Sequence, residues 1–243
     1  MKTQRGVSLV EIMVAITIGL LLMLGLGTVF VTVSQTSKLR QNMSGVQDNE
    51  RTAIAFLNNS IRSAGFNPSP ANVNQFTASG SFTTTGQTIY GSGSGAGADT
   101  VSVRFIAPPA GTTTSQGCSA TLTAGDVYED DFTVAGGYLT CTEKDVTAGG
   151  AAAPAVNLVP NVAGMNIVYG IDPASPNCSG SATEYQPGNS VPASVWGGTC
   201  GGAPGGQLKT VNITLQFNNP LAGQTSQPTT VTINQTIPYM IGL

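Results

Sequence analysis

The sequence predicts an α+β protein, with one long N-terminal helix packed on an antiparallel β-sheet domain. Three observations carry that expectation. An uncharged, largely apolar run extends from Ile12 to Ser37. Beyond it, apolar residues recur every three or four positions as far as Ala64. From Asp99 onward the pattern changes to alternation of apolar and polar residues.

The first run follows a short basic leader, Met1 to Gly6, and carries one acid, Glu11, close to its start. At about 1.5 Å per residue, a helix over 12–37 would be roughly 39 Å long, enough to cross a hydrocarbon core of about 30 Å. It is too long for the apolar part of a secretory signal, and no Ala-x-Ala-like site follows it. A membrane tether is therefore expected. Lys2 and Arg5 favour a cytoplasmic N-terminal end, with everything past Lys38 outside.

The helix is expected to continue after the apolar run ends. Leu39, Met43, Val46, Ala53, Leu57, Ile61 and Ala64 mark one helical face, while Lys38, Arg40, Gln41, Gln47, Asp48 and Arg51 lie mainly on the others. Gly65, then Phe66-Asn67-Pro68, supplies the stop. The spacing thus predicts one helix over about 8–64, uniformly apolar first and amphipathic later. Gly19, Gly25 and Gly27 interrupt its membrane half, which fits either close helix packing or local stretching.

Residues 71–100 read as a surface loop. Gly91 to Asp99 is Gly/Ala/Ser repetition without the spacing or following helix of a dinucleotide fingerprint. Strands are expected around Val101-Val103-Phe105, Tyr138–Cys141, Leu158-Val159, Met165–Tyr169, Val211–Phe217 and Val231–Ile237. Their buried face needs a cover, and the amphipathic half of the helix is the candidate. The acidic trio Glu129-Asp130-Asp131 reads as a solvated turn or edge-strand charge. Tyr185 and Trp196, in the long Gly/Pro-rich stretch 173–206, read as a small satellite core.

Composition narrows the function. Of 243 residues only 9% are charged and 31 are Gly, which suits a loop-rich protein outside the cytoplasm. The net charge of −3 excludes a nucleic-acid footprint, and no nucleic-acid partner is expected. With no His in the chain, the usual general base is missing, and no acid has an obvious catalytic companion. Neither an enzyme nor a cofactor is expected. Cys118, Cys141, Cys178 and Cys200 contain no Cys-x-x-Cys pair and allow three disulfide pairings. Sequential pairing, Cys118–Cys141 and Cys178–Cys200, closes the smallest loops and is preferred. Each bridge would add about 3 kcal/mol on a chain-entropy estimate, and disulfides imply an oxidising compartment.

The stretch Gly6-Val7-Ser8-Leu9-Val10-Glu11 resembles the class III signal of type IV pilins and pseudopilins. That resemblance implies cleavage between Gly6 and Val7 by a membrane aspartyl peptidase, methylation of the new Val7 amine, and an assembly role for Glu11, fifth after the cut. Val7 stands where the family usually has Phe. Asn49-Glu50-Arg51-Thr52-Ala53, Leu57 and Ile61-Arg62-Ser63-Ala64-Gly65-Phe66 resemble the helix end of PilW-like minor pilins, with Glu50 and Ser60 in place of the usual Gly and Asp. Leu158–Val162, Met165–Asp172 and Leu208–Leu215 resemble strands of the same group.

The resemblance implies a leader over 1–6, a transmembrane or filament-core segment over 7–37, an amphipathic helical segment over 38–66 and a β-rich extracytoplasmic domain over 67–243. It also implies a minor pilin that helps initiate a type IV pilus, held in the inner membrane first and in the pilus, periplasm or cell surface later. The implied partners are the prepilin peptidase, other minor and major pilins, the inner-membrane assembly machinery and, before assembly, membrane lipid. Two alternatives stay open: a type II secretion pseudopilin, and a signal-anchored surface module that never polymerises.

Overall fold

The computed structural model describes residues 8–68, 76–109, 117–118, 122–172, 181–196, 199–200, 203–204, 207–223 and 226–239. It comprises two compact units, Met1–Gly45 and Val46–Leu243. Helix α1, Leu9–Ser63, begins in the first and ends in the second.

In the first unit the large apolar side chains from Leu9 to Val33 are exposed, Leu9 at 73% and Phe30 at 76%. Such a surface is stable only in lipid or against other helices. The threonines fit that setting because their hydroxyls bond back into their own helix. Thr17 Oγ1 donates to the Val14 carbonyl at 2.9 Å, Thr28 Oγ1 to Gly25 at 2.8 Å, and Thr32 Oγ1 to Thr28 at 2.9 Å. A hydroxyl satisfied in this way needs no water.

In the second unit the end of α1 buries Val46, Ala53, Leu57 and Ile61, and Ala64 follows just past the helix. The steps are seven, four, four and three, so the five residues share one stripe. Gly65 adopts φ +81° and ends the helix in the left-handed conformation that glycine accepts without penalty. Its N–H donates to the Arg104 carbonyl at 2.8 Å, and the Ile106 N–H donates to Phe66 at 2.9 Å. The helix exit is thereby sewn to a strand.

That strand belongs to a five-stranded antiparallel sheet of β1 (Ile89–Ser92), β2 (Thr100–Ile106), β3 (Val127–Ala135), β4 (Tyr138–Asp145) and β5 (Val156–Pro160), in that order. A second antiparallel sheet has the order β11-β10-β6-β7, built from β6 (Val162–Ile171), β7 (Glu184–Pro187), β10 (Leu208–Asn218) and β11 (Thr230–Pro238). A short helix α2, Ala193–Trp196, and a small pair, β8 (Thr199–Cys200) with β9 (Ala203–Pro204), lie in the connection between β7 and β10.

The chain changes sheets at Asn161, between β5 and β6. Asn161 has φ +69°, a conformation that Asn tolerates better than most residues. Its side-chain amide donates to the Asn218 carbonyl at 3.2 Å, and its carbonyl accepts from the Asn218 N–H at 3.1 Å. Asn49 of α1 donates to the neighbouring Pro160 carbonyl at 3.3 Å, so helix, first sheet and second sheet meet around this corner.

One core holds all three layers. Leu57 and Ile61 join Val101, Val103 and Phe132 of the first sheet with Met165, Ile167, Val211 and Ile213 of the second. The alternation along β10 is clean, with Val211, Ile213, Leu215 and Phe217 buried between half-exposed neighbours. The antiparallel helix-on-sheet architecture is the one the sequence predicts.

Leu57 has no exposed surface, so Leu57→Ala removes packing with no solvent route to relax into. We expect a loss of about 2–5 kcal/mol, read from urea unfolding of the full chain in detergent. A loss under about 1 kcal/mol would mean that the helix stripe is not part of the core.

Candidate functional site

The N-terminal end of α1 places Glu11 one turn into the helix. The Glu11 and Ile12 N–H groups donate to the Ser8 carbonyl at 3.0 and 3.2 Å. Glu11 is exposed, as are all its neighbours on the apolar segment. Among the described residues no ion pair forms at Glu11. A carboxylate there has apolar flanks and, among the described residues, no counter-charge. Gly6 and Val7, the expected cleavage junction, lie outside the described residues.

α1 is long and apolar enough to cross a membrane. Gly19, Gly25 and Gly27 have no atom within 4 Å of where a Cβ would stand. Among the described residues, no close contact requires glycine at these positions.

Residues 1–27 match the prokaryotic N-terminal methylation motif. Two solved structures resemble the chain at a distance. A type IV-like pilin from Thermus thermophilus is 12% identical, with 79% of this chain and 94% of that one covered and a TM-score of 0.46. A binary complex of two pseudopilins from the type 2 secretion system of Vibrio vulnificus gives 8% identity, 82% and 94% coverage and a TM-score of 0.42. No curated protein matches the chain.

A second group of ionisable residues sits in the first sheet. The acidic trio is no solvated turn or edge: it lies on β3, the middle strand, paired to both β2 and β4. Alternation sends its members to opposite faces. Glu129 meets Arg104, its register partner on β2, at 2.6 Å, and the Arg104 guanidinium also donates to the Thr77 carbonyl and to Ser79. Arg104 is 1% exposed and stacks 3.9 Å from the centre of the Phe82 ring. The segment 76–88 is thus pinned over the outer face of the sheet by a buried cation that donates from Nε, Nη1 and Nη2. Removing one partner of such a pair strands a buried charge.

Asp130 points to the opposite face, among Val103, Phe132 and Cys141, beside Glu143 on β4. It is 1% exposed, and no donor stands within hydrogen-bond geometry of either carboxylate oxygen. Burial pushes its carboxyl up to about 8, with the negative charges of Glu143 and Asp131 adding to the effect. A proton held by Asp130 and directed at Glu143 relieves both burial and repulsion. Glu143 in turn accepts the Cys118 N–H at 3.1 Å. A disulfide joins Cys118 to Cys141 on β4, with Cα atoms 6.1 Å apart. The bridge and the Glu143 bond hold the same short segment to the sheet. Cys118, Asp130 and Cys141 bring their ligand atoms together, but sulfurs joined to each other are poor metal ligands. Cys178 and the side chain of Cys200 lie outside the described residues.

Trp196 is buried, packed edge-on to Tyr169 with centroids 4.9 Å apart and near Tyr90 at 5.4 Å. It belongs to the main core, not to a satellite, while Tyr185 is 57% exposed. The stretch 91–99 is also more than a surface loop. Asp99, 2% exposed, accepts the Gly95 N–H on one oxygen and the Ile167 N–H on the other, at 3.0 and 2.7 Å. These bonds tie the glycine-rich turn to β6.

The Asp130 carboxyl is raised in the folded chain, so the folded state holds a proton that the unfolded state releases. Its contribution to stability is complete below about pH 4 and is lost as pH rises toward 8. Asp130→Asn keeps the shape and removes this loss. We expect the variant to exceed the parent by roughly 2 kcal/mol at pH 8 and to show a flatter pH profile, measured by denaturant midpoints from pH 4 to 9. Equal slopes for the two chains would disprove the buried protonated carboxyl.

Proposed function

We propose that this chain is a minor pilin: a structural, non-enzymatic subunit that is cleaved between Gly6 and Val7, methylated at Val7 and used to initiate a type IV pilus. One observation carries the proposal. The methylation motif over residues 1–27 coincides with a single carboxylate on a fully exposed apolar helix. A lone acid costs about 2.5–3.5 kcal/mol near the bilayer centre on insertion scales, and less near the interface. It is retained in this reading because cleavage creates an opposite charge in the same apolar zone: the α-amine of Val7 on a neighbouring subunit. Opposite charges attract far more strongly there than in water. A misaligned neighbour leaves both unpaired, so the pair sets the axial stagger between subunits.

The helical segment 7–37 would then move from lipid into a filament core without changing its exposed apolar surface. Segment 38–66 would seat the β-rich domain 67–243 outside the membrane. The basic leader places the N-terminal end in the cytoplasm and the chain in the inner membrane before assembly. The partners in this reading are the prepilin peptidase, which acts at the Gly6–Val7 bond, other minor and major pilins, and the assembly machinery. The resemblance of the helix end, Asn49 to Phe66, to PilW-like chains favours a pilus over a secretion system.

Mass spectrometry of the purified membrane form should give an N-terminal peptide that begins at methylated Val7. Gly6→Asp should leave the leader attached. A mature chain that begins at Val7 in that variant, or a functional chain that retains Met1, would refute the junction. Glu11→Ala should insert into the membrane and be processed normally while pilus number per cell falls at least about tenfold, as expected if the pair contributes more than about 1.4 kcal/mol. Wild-type piliation in a strain expressing only that variant would remove Glu11 from assembly.

A further inference from the structure

The core face of the first sheet carries a carboxyl whose nearest polar neighbours include two sulfurs. Asp130 of β3 is 1% exposed, and neither of its oxygens meets a donor in hydrogen-bond geometry. Cys141 and Glu143 follow each other along one face of β4, and Cys118 is bonded to Cys141. A carboxylate oxygen of Asp130 and the two sulfurs all lie within 4.8 Å of one another. The two cysteines differ in exposure: Cys141 has no exposed surface, whereas Cys118 is half-buried. A bridge that only holds the fold together needs no acid beside it, and burying one without a donor is unfavourable.

The charges around Asp130 have one sign. Glu143 faces it from β4 as its register partner, and Asp131 follows it on β3. On β2 its register partner is Val103, and β6, which packs against β3, carries no charged residue. Arg104 and Lys144 sit on the opposite face, beside Glu129. A sulfur released here as a thiolate would therefore meet acids and no cation among the described residues. It leaves the bridge far more readily as a neutral thiol. The proton placed to make it neutral is the one on Asp130.

We propose that Cys118–Cys141 is an exchangeable disulfide, opened and closed by a protein dithiol, with Asp130 as proton donor to Cys141 on opening and proton acceptor on closing. One thiolate of the dithiol bonds to the Sγ of the half-buried Cys118. The bond between the two Sγ atoms breaks, its electron pair goes to the Sγ of Cys141, and the Asp130 proton follows. The second thiolate of the dithiol then bonds to the first. Cys118 leaves and takes a proton from water, and Asp130 regains its own the same way. The bridge gains two electrons and two protons, and the dithiol loses as many. Closing runs the steps in reverse. An ordinary thiol titrates at about 8.5, and burial brings Asp130 up to about 8, so the proton transfer is close to balanced. Opening frees Cys118 from its covalent tie to β4 and leaves the Glu143 bond to the Cys118 N–H in place. The device lies wholly in the β-rich unit and works whether or not residues 1–6 are removed.

The test follows reduction of the full chain in detergent by dithiothreitol on both sides of pH 8. Thiols freed at Cys118 and Cys141 are alkylated and read by peptide mass, and each rate is divided by the concentration of reagent thiolate. In the parent this normalised rate should fall about tenfold as pH rises through about 8, because the donor has lost its proton. Asp130→Asn should be about tenfold slower than the parent well below pH 8 and should not change with pH. Glu143→Gln keeps an acceptor for the Cys118 N–H and removes a charge that raises Asp130, so its fall should come at lower pH. A purely structural Asp130 predicts the opposite sign. The parent then loses stability as pH rises, and exchange through unfolding would speed up. Circular dichroism would check that the variants fold, and the profile of the parent needs no variant at all. A normalised rate that stays flat or rises in the parent, an Asp130→Asn chain as fast as the parent well below pH 8, a Glu143→Gln profile that does not move, or a bridge that opens only in denaturant would each overturn the proposal. The N-terminal residue, read by mass on the same material, reports on the pilin reading separately.

Discussion

One stripe of small and branched side chains on α1 decides where everything else in the β-rich unit can sit. Ala53, Leu57 and Ile61 have no exposed surface, and the sheets close over them. Both sheets turn an apolar face inward, and neither could hide that face on its own strands alone. Ala53 and Ala64 keep the helix surface low where Leu57 and Ile61 make it high. That relief is what lets branched strand residues interdigitate with it at the density of a protein interior. The sewing of Gly65 and Phe66 to β2 fixes where the helix lets go, and therefore where the first sheet begins.

Polar groups hold the parts that hydrophobic packing leaves undetermined. Arg104 clamps the segment 76–88 to one face of the first sheet, and the Cys118–Cys141 bridge clamps another segment to the opposite face. Asp99 fastens the glycine-rich turn to β6. Each device fixes a stretch of low hydrophobicity, where burial alone could not offset the entropy of ordering the chain. Asp130 is the exception: it sits on the core face without a donor in hydrogen-bond geometry, which is why its proton matters to stability.

Strands with one dry and one wet face were legible in the sequence, because alternation records that asymmetry directly. β10 and β11 are of this kind, and α1 was legible from the spacing of Val46 to Ala64. β3 was not. Its acids lie on both faces of a strand buried on both sides, so polarity there marks an ion pair and a protonated carboxyl, not exposure to water. β2 tells the same story from its partner's side, since a buried arginine breaks an otherwise apolar pattern. The place of Trp196 in the main core was not legible either, because sequence distance hides its contact with Tyr169, which comes from another sheet element. At the N-terminus the opposite holds. The proposed junction and Glu11 stand out as a motif because the chemistry proposed for them depends on local order along the chain and not on tertiary contact.

The first turns of α1 carry one acid in an apolar field. In the proposed pilin reading, such a group needs a specific counter-charge, and a shifted neighbour that leaves it unpaired is disfavoured. The same pair on a wet surface would be worth little. An electrostatic lock therefore suits only a place where water cannot compete. The exposed apolar side chains from Leu9 to Val33 would supply that place once lipid or other helices cover them.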